Sequence, residues 1–583
     1  MSELFARLAR RPGLSLELLL ASFFANLLAL ASPIFVIQVL NRYVTHGVDT
    51  TLATLTAGVM IAILLEFGFR QVRLRIAHAV SATADAKLNE ATFGMLTGTK
   101  SAAIDLLPAH TRREVVQGVE TVQGAYAASN LAAVLDVPFA LLFLGVLYLL
   151  APPLAFIAAV VLAFVLFCSL ITLLSLRGPT KDLIATQGRR GILVGSALTA
   201  ADTVRAFTGA GFLRGNWGEE STLFARLKRI VGGRNALLQN LTQSSQAIMG
   251  AAVIATGAFL VVRGELDVGA LIGANILAAR AVGPIAKFAQ LSEQFAKAGQ
   301  SLTMLREFLK LPVERVQGSG LSVIKGRLDF QDLAFAHPGA NRVVFEKLTL
   351  RVEPGSVLVV TGGNGTGKTT LARLLAGLLE PVRGQILVDG VDIAQLAPEW
   401  WRRQLIYLPQ EPKFLSATIR ENLMAFNPNL DDARLAQLVS AAGLRSFLDQ
   451  SNQGLDTPLP GGGETLALGI RRRLALARAL ACDGRIAILD EPTEGMDTEG
   501  ANAVYAVMNR LAEQGRTIIA FSHDPNIAKG AAQVLDLNVK PTPRVLAQAA
   551  SQSASAQSPN APPANMPPGR PPQKNRPAKG AAS

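Results

Sequence analysis

The stretch Gly362-Gly363-Asn364-Gly365-Thr366-Gly367-Lys368-Thr369-Thr370 (GGNGTGKTT) lies between the apolar run SVLVVT, Ser356 to Thr361, and a helix-forming run from Leu371. Gly362, Gly367, Lys368 and Thr369 meet the pattern G-x-x-x-x-G-K-[ST] of a phosphate-binding loop between a strand and a helix. Glycines let backbone N–H groups wrap phosphate oxygens, Lys368 brings a point charge to the β and γ phosphates, and Thr369 is placed to ligate Mg²⁺. The rest of the chain is therefore read around a bound nucleotide.

About 120 residues downstream, Arg485 to Thr493 (RIAILDEPT) is an apolar strand ending in adjacent carboxylates. Asp490 is expected to hold Mg²⁺ through water, and Glu491 to orient and polarise an attacking water. The segment FSHD, Phe521 to Asp524, follows at a spacing that strengthens the reading.

Composition places this nucleotide site on a membrane protein. Half of the 583 residues are hydrophobic, 17% are charged, and the mean hydropathy is +0.32. The length exceeds what one core supports. Cys168 and Cys482 make neither a metal spacing nor a disulfide framework, which fits a reduced, cytosol-facing soluble part. Of the +13 net charge, five positive residues (Arg544, Arg570, Lys574, Arg576, Lys579) lie in an acid-free tail, leaving +8 elsewhere. Loops on the cytoplasmic side collect such charge, and no motif interleaves aromatic and basic residues, so no nucleic-acid partner is expected.

Six apolar runs are long enough to span a bilayer: about 14–40, 51–69, 131–150, 154–176, 248–262 and 268–285. The first follows Arg7, Arg10 and Arg11; it is too long for a signal-peptide core and is read as a retained span. The basic stretches 70–130 and 177–245 place the intervening loops, and with six spans both termini, in the cytoplasm. Asn26, Glu66, Asp136 and Arg280 sit in or near spans, where they line a translocation path or make helix-end or interhelical structural contacts. The expected organisation is a cytoplasmic N-terminus 1–13, a six-helix transmembrane domain 14–310, an α/β nucleotide-binding domain 323–540, and a disordered Pro/Ala-rich tail 541–583. The tail's basic residues are read either as a contact for anionic membrane lipid or as a solvated linker.

Residues 323–540 resemble the nucleotide-binding domain of an ATP-binding cassette (ABC) transporter. By that resemblance Gln410, in YLPQEP, contributes to metal binding and catalysis and joins the nucleotide site to the membrane domain. His523 is the switch histidine that senses the γ phosphate, and Asp497, in EPTEGMD, belongs to a dimer-contacting loop. Where relatives stack an aromatic ring on adenine, this chain has His337, either a weaker stacking group or a plain turn residue. The family signature, usually LSGGQ, closes over nucleotide held by the other subunit. RRRLALARAL, Arg471 to Leu480, fixes its register here as Leu466-Ala467-Leu468-Gly469-Ile470. Ala467 lacks the hydroxyl, and Leu468 replaces a glycine that lets backbone approach phosphate. The expected loss is roughly 1.5 to 3 kcal/mol of charge-assisted hydrogen bonding, about ten- to a hundredfold.

The runs Asn26 to Val44, Leu135 to Leu150 and Gly269 to Ile285 resemble type I secretion exporters of Gram-negative bacteria. The resemblance implies an α-helical six-span exporter domain fused to an α/β P-loop domain, working with ATP and Mg²⁺ in the inner membrane. Its implied partners are a second exporter subunit, identical or different, a periplasmic adaptor, an outer-membrane channel and a secreted polypeptide. No peptidase domain is expected before Leu14, which is similar to the short, protease-exporter type. Asn41 stands where those relatives commonly have Asp. A weakly hydrolysing or regulatory subunit of a heterodimer is the alternative that Ala467 and Leu468 raise.

Overall fold

The computed structural model describes residues 2–339 and 342–547. The chain divides into two compact units at Arg315/Val316.

The first unit is helical. Among the described residues six helices are long and apolar enough to cross a membrane: Pro12–His46, Asp49–Gly98, Ala128–Leu150, Pro152–Thr199, Ala210–Val262 and Val268–Phe308. Each contains one of the six apolar runs. Several are far longer than a bilayer needs: a 50-residue helix such as Asp49–Gly98 is about 75 Å long against a hydrocarbon core of roughly 30 Å. The surplus carries the basic residues 70–98, 177–199 and 210–234. Large apolar side chains such as Leu64, Phe67, Leu149, Phe156 and Phe167 point outward. That pattern is costly in water and suited to lipid. The interior is filled instead by small residues and a few large ones, including Ala155, Ala158, Ala274, Ala278, Ala281, Phe143 and Leu277.

Three of the four polar residues singled out in or near the spans are paired. Asp136 accepts hydrogen bonds from Asn26 Nδ2 at 3.0 Å and Arg73 NH1 at 2.5 Å, tying three spans together, and Glu66 pairs with Arg70 at 2.5 Å. For Asn26 and Asp136 these are the interhelical contacts named above as one alternative; the Glu66 pair lies within its own helix. Asn41 lies in a π-helical turn, Val39–Tyr43, of the first span. Its Oδ1 accepts from Gly269 N at 3.0 Å, and its Nδ2 donates to Asp267 Oδ2 at 3.2 Å. Gly269 and Gly273 allow this approach: a Cβ at either would fall 2.3 Å from Asn41 Oδ1 or 2.4 Å from Ile37 Cγ1.

The second unit holds two sheets. β1 (Leu328–Ala336), β2 (Val343–Val352), β4 (Arg383–Val388) and β5 (Val391–Asp392) form an antiparallel sheet in the order β2-β1-β4-β5. The other runs β10-β9-β3-β8-β7-β6, built from β3 (Val357–Thr361), β6 (Leu405–Leu408), β7 (Ile486–Asp490), β8 (Thr517–Phe521), β9 (Gln533–Asp536) and β10 (Arg544–Ala547). β6, β7, β8, β3 and β9 are parallel, and every residue of IAILD and TIIAF is buried, as strands covered on both faces require.

β10 corrects one expectation. Residues 544–547 belong to the tail read as disordered, yet they pair antiparallel with β9, from Arg544 opposite Asp536 to Ala547 opposite Gln533. A four-residue strand of mixed polarity carries no period of its own; the edge of β9 supplies the missing partner. The rest of the tail, 548–583, lies outside the described residues.

Candidate active site

The parallel register brings the chemistry to one edge. Val360 lies beside Phe521, Phe521 beside Asp490, and Leu489 beside Leu408, so the residues that follow each strand emerge together at the carboxyl end of the sheet. Ligands of open α/β sheets bind at that edge. Gly362 to Thr370 follows β3, Gln410 follows β6, Asp490 ends β7 with Glu491 after it, and His523 follows β8.

The loop's glycines answer to backbone geometry. Gly365 and Gly367 have φ of 75° and 104°, a region that side chains disfavour. A Cβ on Gly367 would also meet Val344 Cγ1 at 2.4 Å. Gly367 is the N-cap of the helix Lys368–Leu375, whose free amides face the loop. Thr366 Oγ1 donates to Gly363 O at 2.8 Å, Asn364 is exposed and Thr370 is half-buried.

Lys368 is buried and donates to Gly362 O at 2.5 Å; its Nζ is also 3.2 Å from Glu491 Oε1. His523 Nδ1 approaches the same oxygen at 3.0 Å while its ring stays more than half exposed. Glu491 adopts φ 46°, an unusual conformation for a residue with a Cβ, which its N–H supports by donating to Phe521 O at 2.8 Å.

Thr369 Oγ1 donates to Gln410 Oε1 at 3.1 Å, and Gln410 Nε2 donates to Glu494 Oε2 at 3.2 Å. Both oxygens of the buried Asp490 carboxylate lack a hydrogen-bond partner. Burial pushes this carboxyl up to about 6, opposed by the nearby Thr369 hydroxyl and Lys368 and reinforced by Glu491. Among the described residues no three His, Cys, Asp or Glu side chains cluster to cage an ion. An unpartnered carboxylate beside a hydroxyl and an amide oxygen instead fits a hard cation that keeps waters and phosphate oxygens among its ligands, as Mg²⁺ does.

The signature stretch starts another helix, Leu468–Ala481. Ala467 is its N-cap and makes no side-chain cap, Leu468 is 43% exposed with Cδ2 resting against Gly495, and Gly469 faces open space. His337 is exposed at the end of β1, its ring edge-on to Phe335 at 5.1 Å between centroids. Asp497 is engaged within its own chain. It caps the helix Thr498–Glu513 by accepting from Gly500 N at 2.9 Å and pairs with Arg473, which holds its carboxyl below the usual range.

Sequence reasoning used Arg471 to Leu480 only to fix register. Arg472 donates to Glu494 at 3.3 Å and so joins the signature helix to Gln410. Arg473, buried, donates to Gly443 O at 2.7 Å as well as to Asp497. Three successive arginines within an otherwise apolar helix were the available signal, since buried charge demands partners.

A family model described as "ABC transporter transmembrane region" matches residues 15–285, and one described as "ABC transporter" matches 345–494. The chain belongs to the ABC transporters. Among similar proteins, the leukotoxin translocation ATP-binding protein LktB of Bibersteinia trehalosi is 27% identical over 521 residues, 89% of this chain and 73% of that protein. The toxin RTX-I translocation ATP-binding protein of Actinobacillus pleuropneumoniae is 27% identical over 522 residues, 89% and 74% of the two chains. A solved bacterial Atm1-family ABC exporter with ATP bound superposes with a TM-score of 0.79 at 20% identity, covering 91% of this chain and 94% of the other, a likeness of fold. This ABC transporter is thus an ATP-driven exporter with a translocase ATPase domain, multi-pass in the bacterial inner membrane with that domain cytoplasmic.

Proposed function

We propose that this ABC exporter moves a polypeptide as the inner-membrane ATPase of a type I secretion system, in a dimer that engages a periplasmic adaptor and an outer-membrane channel. The observation that carries the substrate class is the match over 521 residues, through both units, to proteins named for toxin translocation.

The proposed site works as follows. Amides of Asn364 to Thr370 and Lys368 Nζ hold the ATP phosphates, with Gly363 shaping the loop and His337 at the adenine. Thr369, Gln410 and, through water, Asp490 hold Mg²⁺, which when bound neutralises charge on the β and γ phosphates. Glu491 orients the attacking water and accepts its proton. Lys368 and His523, 3.2 and 3.0 Å from Glu491 Oε1, exchange this oxygen for the γ phosphate when ATP arrives, freeing the carboxylate for water. Ala467, Leu468 and Gly469, with the Asp497 loop, face the partner's nucleotide across the dimer.

A second reading, a heterodimer with one slow site, is favoured by the uncapped Ala467. In it a partner bearing LSGGQ closes over this chain's intact P-loop, and LALGI closes over a site that mainly holds ATP.

The test compares the extracellular polypeptides of the native host with those of a strain carrying Glu491→Gln. Loss of one or more polypeptides from the medium, with their full-length forms retained in the cytoplasm, is expected. An unchanged extracellular set refutes polypeptide export.

A further inference from the structure

We infer that Asn538 and Lys540, on the turn between β9 and β10, are positioning residues that set two peptide planes of the P-loop for ATP. The turn reaches back to the nucleotide loop from more than 170 residues away. Asn538 Oδ1 accepts from Gly363 N at 2.9 Å, and Lys540 Nζ donates to Thr366 O at 2.6 Å and to Val344 O. Pro541 O accepts from Glu346 N at 2.9 Å, and Leu537 N donates to Thr361 O at 2.9 Å, which fixes the turn at both ends.

A trans peptide unit is rigid, and its C=O and N–H point in opposite directions. Gripping the Gly363 N–H from outside therefore turns the Gly362 carbonyl inward, where it accepts from Lys368 Nζ at 2.5 Å. Gripping the Thr366 carbonyl turns the Gly367 N–H inward, at the head of the amide row that starts the helix Lys368–Leu375. Glycines at 362, 363, 365 and 367 leave these planes otherwise free to rotate, and that freedom is lost on binding phosphate. The two side chains remove part of it beforehand. Partial burial against the two carbonyls holds the Lys540 ammonium below its usual range, while the residue as a whole remains exposed.

The test uses the full chain in lipid nanodiscs, with trinitrophenyl-ATP displaced by Mg-ATP and steady-state ATPase measured alongside. Asn538→Ala and Lys540→Ala should each weaken Mg-ATP affinity and raise KM roughly fivefold, the scale of one hydrogen bond, with turnover at saturation within about twofold of wild type. Lys540→Arg, which keeps a donor, should recover most of the affinity. If Lys540→Ala does not yield folded protein, the exposed Asn538→Ala reads the same effect alone. Unchanged affinity in Asn538→Ala, or lost turnover at unchanged KM, overturns the inference. Because the readout is nucleotide affinity, either result leaves the polypeptide reading standing.

Discussion

Restoring the signature is the most informative perturbation, because the structure separates its two substitutions. Ala467 sits at the N-cap of Leu468–Ala481, where a serine would accept from an orphan amide of the first turn, worth about 1 kcal/mol to the helix. In a closed dimer the same hydroxyl would donate to the partner's phosphate, a charge-assisted bond of roughly 1.5–3 kcal/mol. Leu468 touches Gly495 on one side and the space beside Gly469 is open, so the leucine does not cover Gly469. Ala467→Ser alone should therefore deliver most of the repair, raising ATPase of the purified chain on the order of tenfold or more. Leu468→Gly should add less than about threefold and cost some helix stability. The assay is steady-state phosphate release in nanodiscs at saturating Mg-ATP, with Glu491→Gln as background. Vigorous wild-type turnover, unchanged by Ala467→Ser, would refute the reasoning and remove the case for a special partner.

Lys368→Ala should weaken trinitrophenyl-ATP binding tenfold or more, since a buried charge-assisted contact is lost. Gly367→Ala places a methyl 2.4 Å from Val344 Cγ1 at φ 104°; it should cost the domain about 2 kcal/mol in denaturant unfolding and abolish nucleotide binding, and a wild-type midpoint counts against the assigned loop geometry. Removing Mg²⁺ with EDTA should end hydrolysis, and Asp490→Asn should raise the Mg²⁺ needed for half-maximal ATPase several-fold, with an unshifted Mg²⁺ curve as the contrary result. Asn41→Asp would oppose a second carboxylate to Asp267 and lose a donor, for about 1 kcal/mol; the thermal midpoint should fall and recover with Asp267→Asn, and no recovery would dismiss the pairing.

The elements legible in the sequence are those whose signal is local. GGNGTGKTT and RIAILDEPT carry strand, loop and helix in a fixed order, and the six spans announce themselves by apolar length alone. The missing parts are contacts between distant segments. β10 becomes a strand only because β9 offers an edge, and nothing in PTPRVLAQ alternates strongly enough to announce it. Asn41 could be flagged as a departure but not explained, since its partners Asp267 and Gly269 lie some 226 residues away. Asp497 was read through the dimer, and its cap on Gly500 follows an ordinary N-cap rule that the family comparison displaced.

The two contributions this chain would make to a dimer are unequal in a way that a single site cannot display. On the P-loop side, Glu491 keeps a strained backbone, Asp490 keeps two unsatisfied oxygens, and Lys368 and His523 converge on one carboxylate oxygen. Strain and unmet hydrogen bonding persist where surrounding structure enforces them and a ligand relieves them. On the signature side, Ala467 leaves its helix without a side-chain cap and Leu468 presents an exposed apolar side chain. Yet Arg472 and Arg473 anchor that helix to Glu494 and Asp497, so the helix is held within its own domain while its tip lacks the hydroxyl. Buried arginines cost stability when unpaired, so these two ion pairs fix where the helix lies. If the slow site proposed above exists, its defect therefore lies in the missing hydroxyl at Ala467 and not in a misplaced helix, and Ala467→Ser should repair it where changes at Arg472 or Arg473 should not.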